Sequence, residues 1–241
     1  MADPSPVLII TRPGGAGQRF ADRVRDAFGG PVEIILSPLM RIEPCATDLP
    51  DVAPSGVILT SANAVPAVAR LGIPKGTVAW CVGSHTARAA QDAGLEIRDA
   101  GGDAEALVEM ILAHRPAGRL LHLRGEVSRG DVADRLSAGG IPCDERVVYR
   151  QIAQDLSNRA KEALSGGRPV VIPLFSPRTA DILCEQGPFR APVHIIAMSG
   201  AVAARLDPLG VSGLAMVDRP DLEAMLMQTV TTLRKLSPGA A

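Results

Sequence analysis

Small and hydroxyl-bearing residues gather where apolar runs give way to helical patterns. Thr60, Ser61 and Asn63 follow one such run, Gly83, Ser84 and Thr86 a second, Ser176 a third and Ser199 a fourth. At a helix start the first backbone N–H groups lack intrahelical partners and the macrodipole is positive, so loops of this kind hold anions. Ser61, Ser84 and Ser176 stand where N-caps would be. Arg12 and Arg124 close two further runs, Arg124 followed directly by Gly125, and Arg129 and Arg178 lie in or after other loops. A guanidinium takes a carboxylate or phosphate in a planar, two-point fashion. Several such loops at one sheet edge would hold a ligand with many carboxylates, largely through backbone donors. Tyr149 is the only tyrosine, and its phenol is suited to donating a hydrogen bond to a leaving group.

Other chemistries find little footing. There is no GxSxG elbow and no acidic pair placed for general acid and base work. His85, His114, His122 and His194 show no metal-ligand spacing, and Cys45, Cys81, Cys143 and Cys184 form no CxxC pair. The cysteines therefore read as small buried apolar residues, and no metal is expected. Gly14-Gly15-Ala16-Gly17 is a poor dinucleotide fingerprint, because Phe20 stands where a third glycine is needed. Glu33 opens the next strand, whereas a ribose-binding acid closes it.

The elements that must position these residues alternate. Apolar strand runs at Val7–Ile10, Val57–Thr60, Val78–Val82, Leu120–Leu123, Val170–Leu174 and Val193–Ala197 are each followed by a helical pattern, as in Gln18–Phe28 with Phe20, Val24 and Phe28 on one face. Further helices are expected at Asn63–Leu71, Ser84–Ala93, Ala104–His114 and Ala201–Leu206. Such alternation predicts parallel sheets with helices on both faces and strand-to-helix loops at one sheet edge.

Three strand-loop signatures occur twice. Leu8-Ile9-Ile10-Thr11-Arg12 is echoed by Leu121-His122-Leu123-Arg124, Ile58-Leu59-Thr60-Ser61 by Pro173-Leu174-Phe175-Ser176, and Cys81-Val82-Gly83-Ser84 by Ala197-Met198-Ser199-Gly200. One complete set occupies the middle of the chain, and the other is split between its ends. The expected architecture is therefore two similar parallel-sheet α/β domains joined by a two-stranded β linker. Domain 1 would be discontinuous, 1–36 with 153–241. Domain 2, 43–146, would be inserted, with linker strands at 37–42 and 147–152, and a ligand cleft is expected between the domains.

Composition bounds the partners. A net charge of −1 over 241 residues provides no basic field for nucleic acid. Aromatics at 2% provide no stacking platform for single strands. No apolar run approaches the roughly 18 residues of a membrane span, and the N-terminus lacks a signal-peptide layout. A small-molecule ligand, no membrane contact, a monomer and a cytoplasmic location are the expectations.

Taken in order, Ile9-Ile10-Thr11-Arg12-Pro13, Leu59-Thr60-Ser61-Ala62-Asn63-Ala64-Val65, Val82-Gly83-Ser84-His85-Thr86-Ala87, Leu123-Arg124-Gly125, Val148-Tyr149, Phe175-Ser176-Pro177-Arg178-Thr179-Ala180 and Asp218-Arg219-Pro220 resemble the uroporphyrinogen-III synthase family over nearly the whole chain. The resemblance implies a lyase of tetrapyrrole biosynthesis acting on hydroxymethylbilane, a linear tetrapyrrole with eight carboxylates, without metal or organic cofactor. Water is lost from the ring A hydroxymethyl group, and ring D is inverted as the macrocycle closes. The resemblance places the family's tyrosine at Tyr149 and its second-half serine at Ser176. It implies substrate contacts at Arg12, Thr60, Ser61, Asn63, Gly83, Ser84, Thr86, Arg124, Gly125, Ser176 and Ser199. One stretch departs: where similar proteins have a Gly-x-Thr-Thr-Ala-like loop, this chain has Met198-Ser199-Gly200-Ala201-Val202-Ala203, so Ser199 or backbone N–H groups must substitute. The altered loop keeps a second reading open, a non-catalytic two-domain sensor of an anionic metabolite.

Overall fold

The computed structural model describes residues 5–127 and 130–237. The chain begins with β1 (Val7–Ile10), α1 (Gly14–Phe28) and β2 (Glu33–Leu36). It continues through β3 (Met40–Pro44), β4 (Gly56–Leu59), α2 (Pro66–Arg70), β5 (Val78–Cys81), α3 (Ser84–Asp92), β6 (Glu96–Asp99), α4 (Ala104–His114), β7 (Leu120–Gly125), α5 (Val132–Ala138) and β8 (Cys143–Ala153). It ends with α6 (Asn158–Ser165), β9 (Val170–Leu174), α7 (Pro177–Cys184), β10 (Val193–Ala197), α8 (Gly200–Ala203), β11 (Gly213–Met216) and α9 (Leu222–Leu236). Two compact units result, Met1–Arg41 with Ile152–Ala241, and Ile42–Gln151.

The first unit holds a five-stranded sheet in the order β11-β10-β9-β1-β2, whose strand pairs are parallel. Its strands β1 and β9 are apolar throughout because both faces are covered. Along β1, Val7 and Ile9 enter one core cluster, while Leu8 and Ile10 enter another on the opposite face. Truncating one of these, as in Ile9→Ala, would cost about 2–5 kcal/mol.

The second unit holds a six-stranded sheet in the order β3-β8-β7-β4-β5-β6, with parallel pairing from β8 to β6. Leu121 and Leu123 face one core cluster, and Leu120 and Ile58 the other. The segments expected as separate linker strands are incorporated here: β3 lies at the sheet edge and β8 between β3 and β7. From β7 outward through β8, and from β4 outward through β5 and β6, the chain advances in opposite directions. In the first unit β1-β2 and β9-β10-β11 do the same. Each sheet thus has a point of reversal, between β7 and β4 and between β1 and β9. Loops diverge to opposite faces there, and a crevice opens at the carboxyl ends of the strands.

Several element boundaries differ from the sequence reading for local reasons. α1 begins at Gly14 instead of Gln18, because Pro13 presets its own φ at −71° at the N-cap. Gly17 is needed there, since a Cβ would stand 2.8 Å from the Arg12 carbonyl oxygen. The glycine cluster is therefore a close helix-on-strand contact, and Glu33 is held by Arg168 and Arg159. The helix expected over 63–71 breaks into a 3₁₀ turn, Ala62–Ala64, and α2, whose first residue Pro66 has no N–H to extend the ladder backward. α8 stops at Ala203 instead of Leu206, and a 3₁₀ turn containing Pro208 follows. Among the described residues no helix is long and apolar enough to cross a membrane.

Candidate active site

At the second unit's point of reversal, Thr60 and Ser61 leave β4 while Arg124 and Gly125 end β7. A recess of about 310 Å³ lies there, lined by Thr60, Ser61, Val82, Ala104, Gly125, Val127 and Tyr149. That volume is at the lower end for ligand pockets, so it suits one part of a large ligand. Ser61 caps the turn after β4, its hydroxyl accepting from the Asn63 N–H at 3.2 Å.

Tyr149 reaches the recess through an irregularity in the sheet. β7 and β8 pair in step up to Arg124 and Val147, and Gly125 then faces Tyr149, with Val148 left over. This bulge places Val148 and Tyr149 in the same core cluster although they are adjacent in sequence. The phenol ring lies against the Gly125 backbone: a Cβ on Gly125 would stand 2.7 Å from Tyr149 Cζ and 2.9 Å from its Oη. The Glu126 N–H donates to the Tyr149 carbonyl at 2.9 Å. The side chain is nearly enclosed, at 7% exposure, so its apolar body is buried while the recess reaches it.

Beneath Thr60 lies His122 on β7, 2% exposed. Its Nε2 is 3.1 Å from Thr60 Oγ1, and its Nδ1 has no protein partner. Burial pushes the imidazole pKa down to about 4; nearby Arg124 acts the same way and Glu145 opposes it. His122 is therefore neutral near pH 7. Sequence reasoning tested it only for metal spacing. The signal available was its place in the internal echo, a histidine where the matching strand has Ile10.

Arg124 and Arg12 occupy matching strand ends and differ in their partners. Arg124 is bound within the unit, to Glu145 at 2.5 Å and to the carbonyls of Gly125 and Glu126 at 3.0 and 3.2 Å. These bonds hold the end of β7 against β8. Arg12 instead lies over the Phe175 ring, 4.2 Å from its centroid, and Phe20 meets the same ring edge-on at 5.2 Å. Among the described residues no carboxylate pairs with Arg12. Burial lowers its pKa, with Arg19 adding like-charge repulsion, so an anion placed there would relieve both.

The other expected residues are distributed as follows. Ser176 caps α7, accepting from the Thr179 N–H at 3.2 Å and meeting the Thr179 hydroxyl at 2.8 Å. Ser199 precedes α8 and makes no capping bond with its side chain. Ser84 is not an N-cap: the cap of α3 is Gly83, and Ser84 is the first helical residue, exposed. The reason is register, since the extended residue that could accept from the next turn lies one position earlier. Thr86 is buried, and His85 is exposed on α3. Arg129 lies outside the described residues. Cys81 is buried, while Cys45, Cys143 and Cys184 are half-buried; desolvation pushes the Cys81 and Cys143 thiols up to about 12. Among the described residues no three His, Cys, Asp or Glu side chains gather as a metal ion would require.

Residues 19–227 match the family described as uroporphyrinogen-III synthase HemD. The chain belongs to that family. A comparison with curated proteins finds no match. Among solved structures, the uroporphyrinogen-III synthetase of Helicobacter pylori is similar at 19% identity and a TM-score of 0.69, covering 94% of this chain and 99% of that one. At that identity the likeness shows a common α/β fold. A mutant uroporphyrinogen III synthase from Thermus thermophilus aligns over 95% of this chain and 99% of its own, with 16% identity and a TM-score of 0.49. Family membership supports a lyase of tetrapyrrole biosynthesis, with a small tetrapyrrole as substrate, over the sensor reading.

Proposed function

We propose that this chain cyclises hydroxymethylbilane to uroporphyrinogen III, and that the departing hydroxyl group is handled in the recess of the second unit. The observation that carries this reading is the meeting of Tyr149, Thr60, Ser61 and Gly125 around one recess at a point of strand reversal. The Tyr149 phenol donates a hydrogen bond to the ring A hydroxymethyl oxygen. As the C–O bond breaks, the phenol proton passes to the oxygen, which leaves as water, while the ring A nitrogen supplies electron density to the methylene carbon; the proton lost from ring D at closure restores the phenol. A ring D carbon attacks that methylene, and rearrangement through a spiro intermediate inverts ring D. Because the bilane closes to the uninverted isomer without a catalyst, most of the protein's work is to hold the chain in the productive fold.

Substrate carboxylates are met by Arg12, by the backbone donors and hydroxyls at Ser61, Asn63, Gly83, Ser84, Thr86 and Ser176, and by Ser199, whose hydroxyl makes no capping bond. Arg124 contributes by shaping the Gly125 end of β7, as its three internal partners indicate. The two units act as domains, with 1–36 and 153–241 forming one, 43–146 the other, and 37–42 and 147–152 connecting them. A cytoplasmic monomer without metal or organic cofactor completes the reading; the near-neutral charge supports the absence of nucleic acid. The test is to incubate pure protein with freshly prepared hydroxymethylbilane and resolve the product isomers. Isomer III at a rate proportional to protein is expected, and isomer I alone at the rate in buffer overturns the proposal.

A further inference from the structure

His122 and Ile10 occupy matching places in the two units. Each lies two residues before an arginine at the end of a strand next to the reversal, on β7 and β1 respectively. Ile10 is fully buried in an apolar cluster. His122 is equally enclosed, on the sheet face that carries Leu120 and Ile58, and is paired opposite Ile58 across β4. An imidazole among apolar side chains destabilises the fold where its nitrogens are not fully bonded, and here Nδ1 has no protein partner. The sister unit shows that an aliphatic residue fills such a position. The remaining nitrogen, Nε2, meets Thr60 Oγ1, and Thr60 lines the recess.

We propose that His122 is a positioning residue that donates its Nε2–H to Thr60 Oγ1, and so commits the Thr60 hydroxyl to donating toward an acceptor on the substrate. The assignment of the proton follows from the orphan nitrogen. A buried N–H without a partner is rarer than a buried acceptor without one, so Nδ1 carries the lone pair and Nε2 the hydrogen. A threonine hydroxyl has one hydrogen to give and two lone pairs. With one lone pair occupied from beneath, its hydrogen is directed to a carboxylate or hydroxyl oxygen in the recess. Arg124 on the same strand and Glu145 on β8 are the charged groups that act on the ring. Burial and Arg124 outweigh Glu145 and keep the ring neutral, as a single-tautomer donor requires.

The proposal rests on the recess being part of the substrate site, and the experiment separates the two. In nitrogen-15 spectra of the imidazoles, His122 should show the Nε2–H tautomer; the Nδ1–H tautomer overturns the proposal. In steady-state assays with hydroxymethylbilane, His122→Leu should raise KM about ten-fold, the size of one lost hydrogen bond to a charged group. The same variant should leave kcat within about two-fold and melt no lower than wild type. His122→Gln, whose amide N–H can donate, should restore most of the loss. In a Thr60→Val background, His122→Leu should add less than about two-fold. An unchanged KM in His122→Leu, or a full additional loss in the Thr60→Val background, overturns the proposal. A wild type that forms only isomer I sinks the reading of the recess as substrate site, and the imidazole spectrum then still decides the bond.

Discussion

The two points of strand reversal have the same strand order and different fillings. In the first unit Arg12 lies on Phe175, Phe20 meets that ring edge-on, and Ile10 closes the strand beneath. In the second unit the corresponding places hold Arg124, Thr60 and His122, with Tyr149 pressed on Gly125. One reversal presents a half-buried cation with an aromatic partner and no carboxylate among the described residues. The other presents hydroxyl groups around a recess, with its arginine already neutralised by Glu145. The first reversal thus offers a cation to an anionic group, and the second offers hydroxyl groups as hydrogen-bond donors.

The largest difference expected between the two reversals comes from the buried histidine. Its folded pKa of about 4 lies below the ordinary value of 6.5, so below about pH 6.5 the unfolded chain binds a proton that the folded one refuses. Stability from this group is complete above pH 6.5 and declines as pH falls toward 4, by roughly 3 kcal/mol in all. Denaturant titrations at several pH values should show that slope in wild type and a shallower one in His122→Leu. In Tyr149→Phe, which removes only the hydroxyl, kcat for isomer III should fall about 100-fold, with the urea midpoint nearly unchanged. Gly125→Ala forces the tyrosine ring away and should cost about 2 kcal/mol of stability, with a loss of kcat that calorimetry and initial rates together would register. Arg12→Gln should raise KM about ten-fold at constant kcat, and the effect should shrink in high salt. Arg124→Gln is the counter-test: its ion pair is partly exposed, so it should change stability by at most about 1 kcal/mol.

Much of this was legible in the sequence. The apolar runs fall on strands, and α4, β9 and β10 have the bounds that periodicity predicts. The three paired signatures sit on corresponding strands of the two sheets, because a loop after a parallel strand carries its residues to the same sheet edge wherever the strand occurs in the chain. What could not be read depends on contacts between strands. The bulge at Arg124 and Gly125 is a mismatch of two strands and leaves no mark in either alone. Ser84 was misplaced by one residue because a helix start of Gly83-Ser84 looks the same whichever residue is extended. Arg12 and Arg124 were indistinguishable until Phe175 and Glu145 were placed beside them. His122 looked inert because histidine is usually sought in clusters, whereas its meaning lay in the contrast with Ile10.

In the proposed reaction the second unit's recess handles the departing hydroxyl group, the step that commits the bilane to enzymatic closure. The most direct measurement is the ratio of isomer III to isomer I formed from freshly prepared hydroxymethylbilane by wild type and by Tyr149→Phe at equal concentration. The account predicts isomer III in large excess for wild type, and a ratio close to that of buffer for the variant over the same interval. Isomer I alone from wild type, or the same ratio and rate from both proteins, would contradict it.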